Sequence, residues 1–195
     1  LISKIFNRHI SLRITKQVAK TQVSPNQITF LSVITAVASA LAFSTNHPLI
    51  GGLLAQFCSI LDGVDGEIAR LKFLQSNYGA LFDSILDRYG DFIIVIGMTY
   101  GWYIQTSNPL VPLIGSIALA GIPMSMLFKE KFHALTGKTY LPEIHDGVFR
   151  YLPANRDGRL FLIMLGGIFN QLGSVLILLA VITHFQALLR LVKAK

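Results

Sequence analysis

The sequence predicts an all-α membrane protein, with six transmembrane helices and an N-terminal amphipathic juxtamembrane helix. Three observations lead there. Hydrophobic residues make up 52% of the 195-residue chain and charged residues only 14%, against about 25% charged in an ordinary soluble domain. The apolar residues gather into runs close to the roughly 20 residues that a helix needs to cross a bilayer. Lys and Arg are missing from every other loop between those runs.

The first 20 residues alternate Lys4, Arg8, Arg13, Lys16 and Lys20 with Ile2, Ile5, Phe6, Ile10, Leu12, Ile14 and Val18. That pattern predicts a basic helix lying on the membrane surface, here bounded as residues 1–23. Ser24-Pro25-Asn26-Gln27 opens the bundle proper, 24–195. Ser24 suits the N-cap, Pro25 the first helical position, and Gln27 the far end of a capping box. A first span runs from about Ile28 to Phe43 and breaks at 44–48. A second covers Leu49 to Leu61 and continues as helix through the polar stretch 62–72. The third runs from Gly79 to Ile104, and the fourth from Leu110 to Phe128. After a polar segment, 129–157, a short fifth span covers Arg159 to Asn170. The sixth runs from Leu172 to Leu189, and Arg190, Lys193 and Lys195 form a basic tail.

Charge tests this layout. The loops 44–48, 105–109 and 170–172 contain none of the 17 basic residues. Positive residues stay on the cytoplasmic side, so both termini and the polar ends of spans two, three and five are expected there. The net charge of +7 then fits attraction to an anionic leaflet, and no nucleic-acid partner is expected. Cys58 is the single cysteine, which excludes an internal disulfide and a cysteine zinc site. The chain begins at Leu1 without a signal-peptide pattern and reads as part of a longer protein.

The chemistry concentrates in residues 62–91. Asp62 and Asp65 are three apart, and Asp83 and Asp87 four apart, so each pair shares a helix face. On consecutive antiparallel helices the two faces can meet at the mouth of the membrane. Each carboxylate at a helix centre in the bilayer costs on the order of 2.5–3.5 kcal/mol, and four together repel. Arg70 and Arg88 are too few to compensate, and Glu67 adds charge. A divalent cation is the expected counter-charge, Mg2+ or Mn2+ because the donors are hard oxygens. Four carboxylates can hold two ions. Gly63, Gly66, Ala69 and Gly79 let a ligand come close, and beside Arg70 a diphosphate fits.

Asp62-Gly63-x-Asp65-Gly66-x-x-Ala69-Arg70, eight residues, Gly79, three residues, Asp83, three residues and Asp87 resembles the signature of the CDP-alcohol phosphotransferases at every fixed position. The resemblance extends over nearly the whole chain, and it implies the following. Asp62, Asp65, Asp83 and Asp87 bind two metal ions, and Asp87 is also the general base. Asn26, Asp62, Gly66, Ala69, Arg70 and Gly79 bind the CDP group. Ser24-Pro25-Asn26 resembles the short Thr-Pro-Asn element of the family, with Ser in place of Thr. The reaction moves a phosphoalcohol from a CDP-alcohol to an acceptor hydroxyl and releases CMP. Members often form homodimers, although no separate dimer signal stands in this sequence.

Arg156 and Arg159, at i and i+3, and Lys129 and Lys131, at the end of span four, are the candidate ligands of a phosphorylated acceptor. Arg150 belongs to the same basic cluster. Asn7-Arg8-x-Ile10-Ser11-Leu12-Arg13 and Asn155-Arg156-Asp157-x-Arg159-Leu160-Phe161 resemble members that join CDP-inositol to inositol phosphate, the di-myo-inositol phosphate phosphate synthases. Such domains often follow an upstream cytidylyltransferase. A phospholipid synthase using CDP-diacylglycerol, for example one making phosphatidylinositol phosphate, is the alternative. A divalent-cation transporter is a remote one, since the single acidic cluster has no second copy. The five histidines are scattered without ligand spacing. Gly166, Gly167 and Gly173 are expected where spans five and six pack closely, and Trp102 and Tyr103 at the outer interface.

Overall fold

A computed structural model describes residues 2–193, excepting the side chains of residues 2–6, 143, 148 and 150. The expectations for Leu1, Lys195 and the side chains of Ile2, Lys4, Ile5, Phe6 and Arg150 therefore lie outside the described residues. The chain is helical, with no strand among the described residues. In order come α1 (Ile2–Val18), α2 (Pro25–Ser44), α3 (Pro48–Leu71), α4 (Asn77–Thr106), α5 (Val111–Gly121), α6 (Met124–Thr136), the single turn α7 (Pro142–His145), α8 (Arg156–Ile168) and α9 (Leu172–Lys193). A short 3-10 segment, Gly147–Tyr151, follows α7.

Among the described residues, four stretches are long and apolar enough to cross a membrane: α2, α3, the combined run Val111–Thr136, and α9. The α4 helix is long enough but not apolar enough to join them by composition, and α8 has only 13 residues. The run expected as a fourth span is broken by Ile122-Pro123 into α5 and α6. Proline lacks the amide that would continue the hydrogen-bond ladder.

Much of the buried face of α2 is small or hydroxylic. Thr29, Ser32, Thr35, Ala36, Ser39 and Ala40 lie there between Ile28 and Phe43, while Phe30, Leu31, Ile34, Val37 and Leu41 are exposed. Small residues let helices approach closely where lipid is the solvent. Buried hydroxyls find backbone carbonyls: Thr35 donates to Leu31 at 2.9 Å and Ser39 to Gly51 of α3 at 2.7 Å.

The expected capping at Ser24 is present in its reciprocal arm, where Gln27 Oε1 accepts from the Ser24 amide at 2.9 Å. The α1 helix lies on α3 through polar contacts. Ser11 and Thr15 donate to Glu67 at 3.0 and 2.6 Å, and Asn7 donates to Ser59 at 3.0 Å. Glu67 thus holds α1 at two points, and Ile14 and Val18 add apolar packing on Leu61, Val64 and Ile68.

Helix α2 packs against both α3 and α4, and α8 against α3. The glycines expected between the last two spans are spread over three contacts. Gly166 faces Val175 of α9, as expected. Gly167 instead abuts Gly52 and the Pro48 carbonyl of α3, and Gly173 abuts Trp102 of α4. A Cβ at Gly167 would come within 2.8 Å of the Gly52 Cα.

Candidate active site

Helices α3 and α4 run side by side with few close backbone approaches, because α2 sits against both. The opening between them carries the acidic residues. One oxygen each from Asp62, Asp83 and Asp87 lies within 4.8 Å of the others. Asp65, expected in the same group, is turned toward α2, where its Oδ2 accepts from Thr29 Oγ1 at 2.6 Å. It still lines the space between α3 and α4 together with Asp83.

The counter-charge comes from a direction that the sequence did not indicate. Arg156, at the start of α8, reaches Asp62 at 2.7 Å, Asp87 at 2.9 Å and Asp91 at 3.2 Å. Arg159 reaches the other oxygen of Asp91 at 2.6 Å and donates to the Ala154 carbonyl at 2.7 Å. So Arg70 and Arg88 are not the only compensating cations, as the reading of charge alone assumed. Arg88 stands 3.9 Å from Asp87, and Arg70 is exposed. Asn155 caps α8, accepting from the Gly158 amide at 3.2 Å, which fixes where Arg156 and Arg159 emerge.

The carboxylates border two cavities, and Arg156 opens onto a third. One, of about 200 Å3, lies between α2, α3 and α4 and contains Asn26, Asp65, Gly66, Ala69, Arg70, Gly79 and Asp83 in its lining. It gathers every residue expected to bind CDP except Asp62. A Cβ on Gly79 would sit 3.6 Å from Asn26 Oδ1 and 3.0 Å from Ser76 Oγ, so glycine there keeps the cavity open. A second, of about 870 Å3, lies between α1, α3 and α8 and includes Asn7, Arg8, Ser11, Asp62, Glu67 and Asp157. A third, of about 750 Å3, is basic, with Arg88, Lys129, Arg156, Arg159 and Arg190 on its wall. Of the four residues expected at an acceptor phosphate, Lys129, Arg156 and Arg159 line it, whereas Lys131 is exposed and outside the lining.

A sequence profile described as CDP-alcohol phosphatidyltransferase matches residues 22–186. The chain belongs to the CDP-alcohol phosphatidyltransferase family. Within it, the chain is 40% identical over 166 residues to a protein of Archaeoglobus fulgidus named bifunctional IPC transferase and DIPP synthase, covering 84% of this chain and 31% of that one. The chain thus spans about a third of that relative's length. A solved Mycobacterium tuberculosis phosphatidylinositol phosphate synthase with CDP-DAG bound shares the fold, with a TM-score of 0.75 at 22% identity over 95% of this chain and 93% of that one. The same protein in complex with manganese and citrate gives 0.71 at 21% identity over 94% and 88%.

Several site residues escaped the sequence reading. Asp91 continues the four-residue period of Asp83 and Asp87, and that spacing was the available signal. Thr29 and Arg190 had none, because they reach the site through contacts between distant helices.

Proposed function

We propose that this chain catalyses a divalent-metal-dependent transfer of a phosphoalcohol from a CDP-alcohol to an acceptor hydroxyl, with release of CMP. The donor is CDP-inositol and the acceptor inositol phosphate, giving di-myo-inositol phosphate phosphate. One observation carries the reading: the carboxylates border two cavities of different chemistry, and Arg156, which holds Asp62 and Asp87, borders a third that is basic, so that three spaces suit the three parts of such a reaction.

The carboxylates fit Mg2+ or Mn2+. Their donors are all oxygen, and Asp83 Oδ1 is buried with no hydrogen-bond partner, which an unmodified carboxylate does not tolerate cheaply. Asp62, Asp83 and Asp87 would hold an ion, with Asp65 available to a second. Bound there, the metal supplies charge neutralisation for the donor diphosphate.

The remaining work falls to the chain. Gly66 and Gly79 leave room for the nucleotide beside Asn26. Arg70 lies on the rim shared by the 200 and 870 Å3 cavities, where a diphosphate would cross from nucleotide to alcohol. The cavity under α1 offers amide, hydroxyl and carboxylate groups, a lining suited to a polyol. Lys129, Arg159 and Arg88 in the basic cavity suit an acceptor phosphate. Asp87 accepts the proton of the attacking hydroxyl. The four apolar runs, together with α4 and α8, make up six crossings, with both termini and the cluster on the cytoplasmic side.

Purified protein with Mg2+ should release CMP from CDP-inositol plus inositol phosphate. Release only with CDP-diacylglycerol would instead make it a phospholipid synthase. No release from either donor, with Mg2+ or Mn2+, would overturn the proposal.

A further inference from the structure

Asp91 stands outside the group of Asp62, Asp83 and Asp87, lines neither of the two large cavities and is 3% exposed. A buried carboxylate needs a partner, and Asp91 has two. Its Oδ1 accepts from Arg156 Nε at 3.2 Å and its Oδ2 from Arg159 Nη2 at 2.6 Å. Gripping Arg156 by Nε leaves both terminal nitrogens of that guanidinium directed elsewhere. They meet Asp62 and Asp87, two of the three grouped carboxylates. The same arginine lines the basic cavity. Asp91 lies one helical turn beyond Asp87 on α4, so the grip is set by the helix that carries the metal-site residues.

We propose that Asp91 is a positioning residue, which sets how strongly Arg156 competes with a divalent cation for Asp62 and Asp87. With Asp91 in place, the guanidinium charge is shared with a carboxylate outside the metal group. Without it, Arg156 rests on Asp62 and Asp87 alone and opposes the cation there. Partners that orient metal ligands from behind typically change metal affinity by about 10–100-fold when removed. This inference rests on the metal-dependent reading above.

The test is Mn2+ binding by the detergent-purified chain, followed by electron paramagnetic resonance of free Mn2+, which needs no turnover. Asp91→Asn should weaken Mn2+ binding about tenfold. In an Arg156→Ala background the same change should have less than about one third of that effect, because the competitor is gone. If Asp91→Asn fails to fold, Asp91→Glu keeps the charge and displaces the carboxylate, and its effect should likewise require Arg156. An equal effect of the Asp91 change with and without Arg156 overturns the inference and leaves the metal reading intact. Absence of Mn2+ binding by the unaltered protein overturns both.

Discussion

The basic cavity is walled by two arginine–aspartate clusters, and they are built differently. On one side Arg190 and Asp146 form a closed pair. Asp146 is fully buried, takes Arg190 Nη2 at 2.6 Å and Nε at 3.1 Å, and accepts from the Tyr140 hydroxyl at 2.7 Å. Arg190 spends its remaining nitrogen on Ser125 at 2.6 Å. One negative charge meets one positive charge, and each of the three guanidinium nitrogens has a partner. On the other side Asp62, Asp87 and Asp91 pair with Arg156 and Arg159, Asp83 stands beside Asp62 and Asp87, and Arg88 is only at the edge. Negative charge is in excess there, and Asp83 Oδ1 is left without a hydrogen bond. A saturated cluster holds a fold together. An unsaturated one is stable only as a place for something else to bind.

The largest expected effect separates the two at once. Asp83→Asn should lower the CMP-release rate by at least about 100-fold and leave the melting temperature unchanged or higher, since a repelling charge is removed. Mn2+ should raise the melting temperature of the unaltered protein and not that of the variant. A variant that keeps its rate but melts early would reverse the comparison.

Asp146→Asn should do the opposite. It leaves Arg190 buried beside a neutral group, and breaking a buried pair costs about 3 kcal/mol, read as a loss of thermal stability in detergent. The pH dependence has a definite sign. Burial pushes the Asp146 carboxyl up, but the hydrogen bonds from Arg190 and Tyr140 outweigh it and hold the group below the ordinary carboxylate range. Its stabilisation is therefore complete above the unfolded value, near 3.9, and disappears as pH falls through the lower folded value. Melting curves taken downward from pH 6 should show this loss in the unaltered chain and not in Asp146→Asn.

The smallest effect is Tyr140→Phe, which deletes one hydrogen bond to the same carboxylate and costs about 1 kcal/mol. Burial and the neighbouring Asp146 push the Tyr140 phenol up to about 12. Its contribution is present below about pH 10 and fades as pH rises toward 12. The phenylalanine variant should lack that alkaline change.

The unsaturated cluster was largely legible in the sequence, because its carboxylates repeat at helical spacing on neighbouring helices. The saturated one was not. Tyr140, Asp146 and Arg190 fall in a polar segment and at a helix end, and only folding brings position 146 to position 190. The same limit explains Arg156 and Arg159. Their spacing marked them as a pair facing a phosphate, yet their partner Asp91 sits 65 and 68 positions away. Among the elements, the apolar runs located α2, α3 and α9 well. The break at Pro123 was visible as a residue, but not its consequence, because an apolar run gives no sign of where its helix stops.

The contact between Gly167 and Gly52 sets the angle at which α8 leaves α3. Gly167 lies eleven positions from Arg156 on one helix, about 16 Å at 1.5 Å per residue. With the backbones of α3 and α8 touching there, a tilt of only about 4° would sweep the guanidinium by roughly 1 Å, a displacement that costs catalysis on the order of 100-fold. A single methyl group at position 167, deep in the bundle and far from any substrate, would thus be felt at the reacting end as a change of aim.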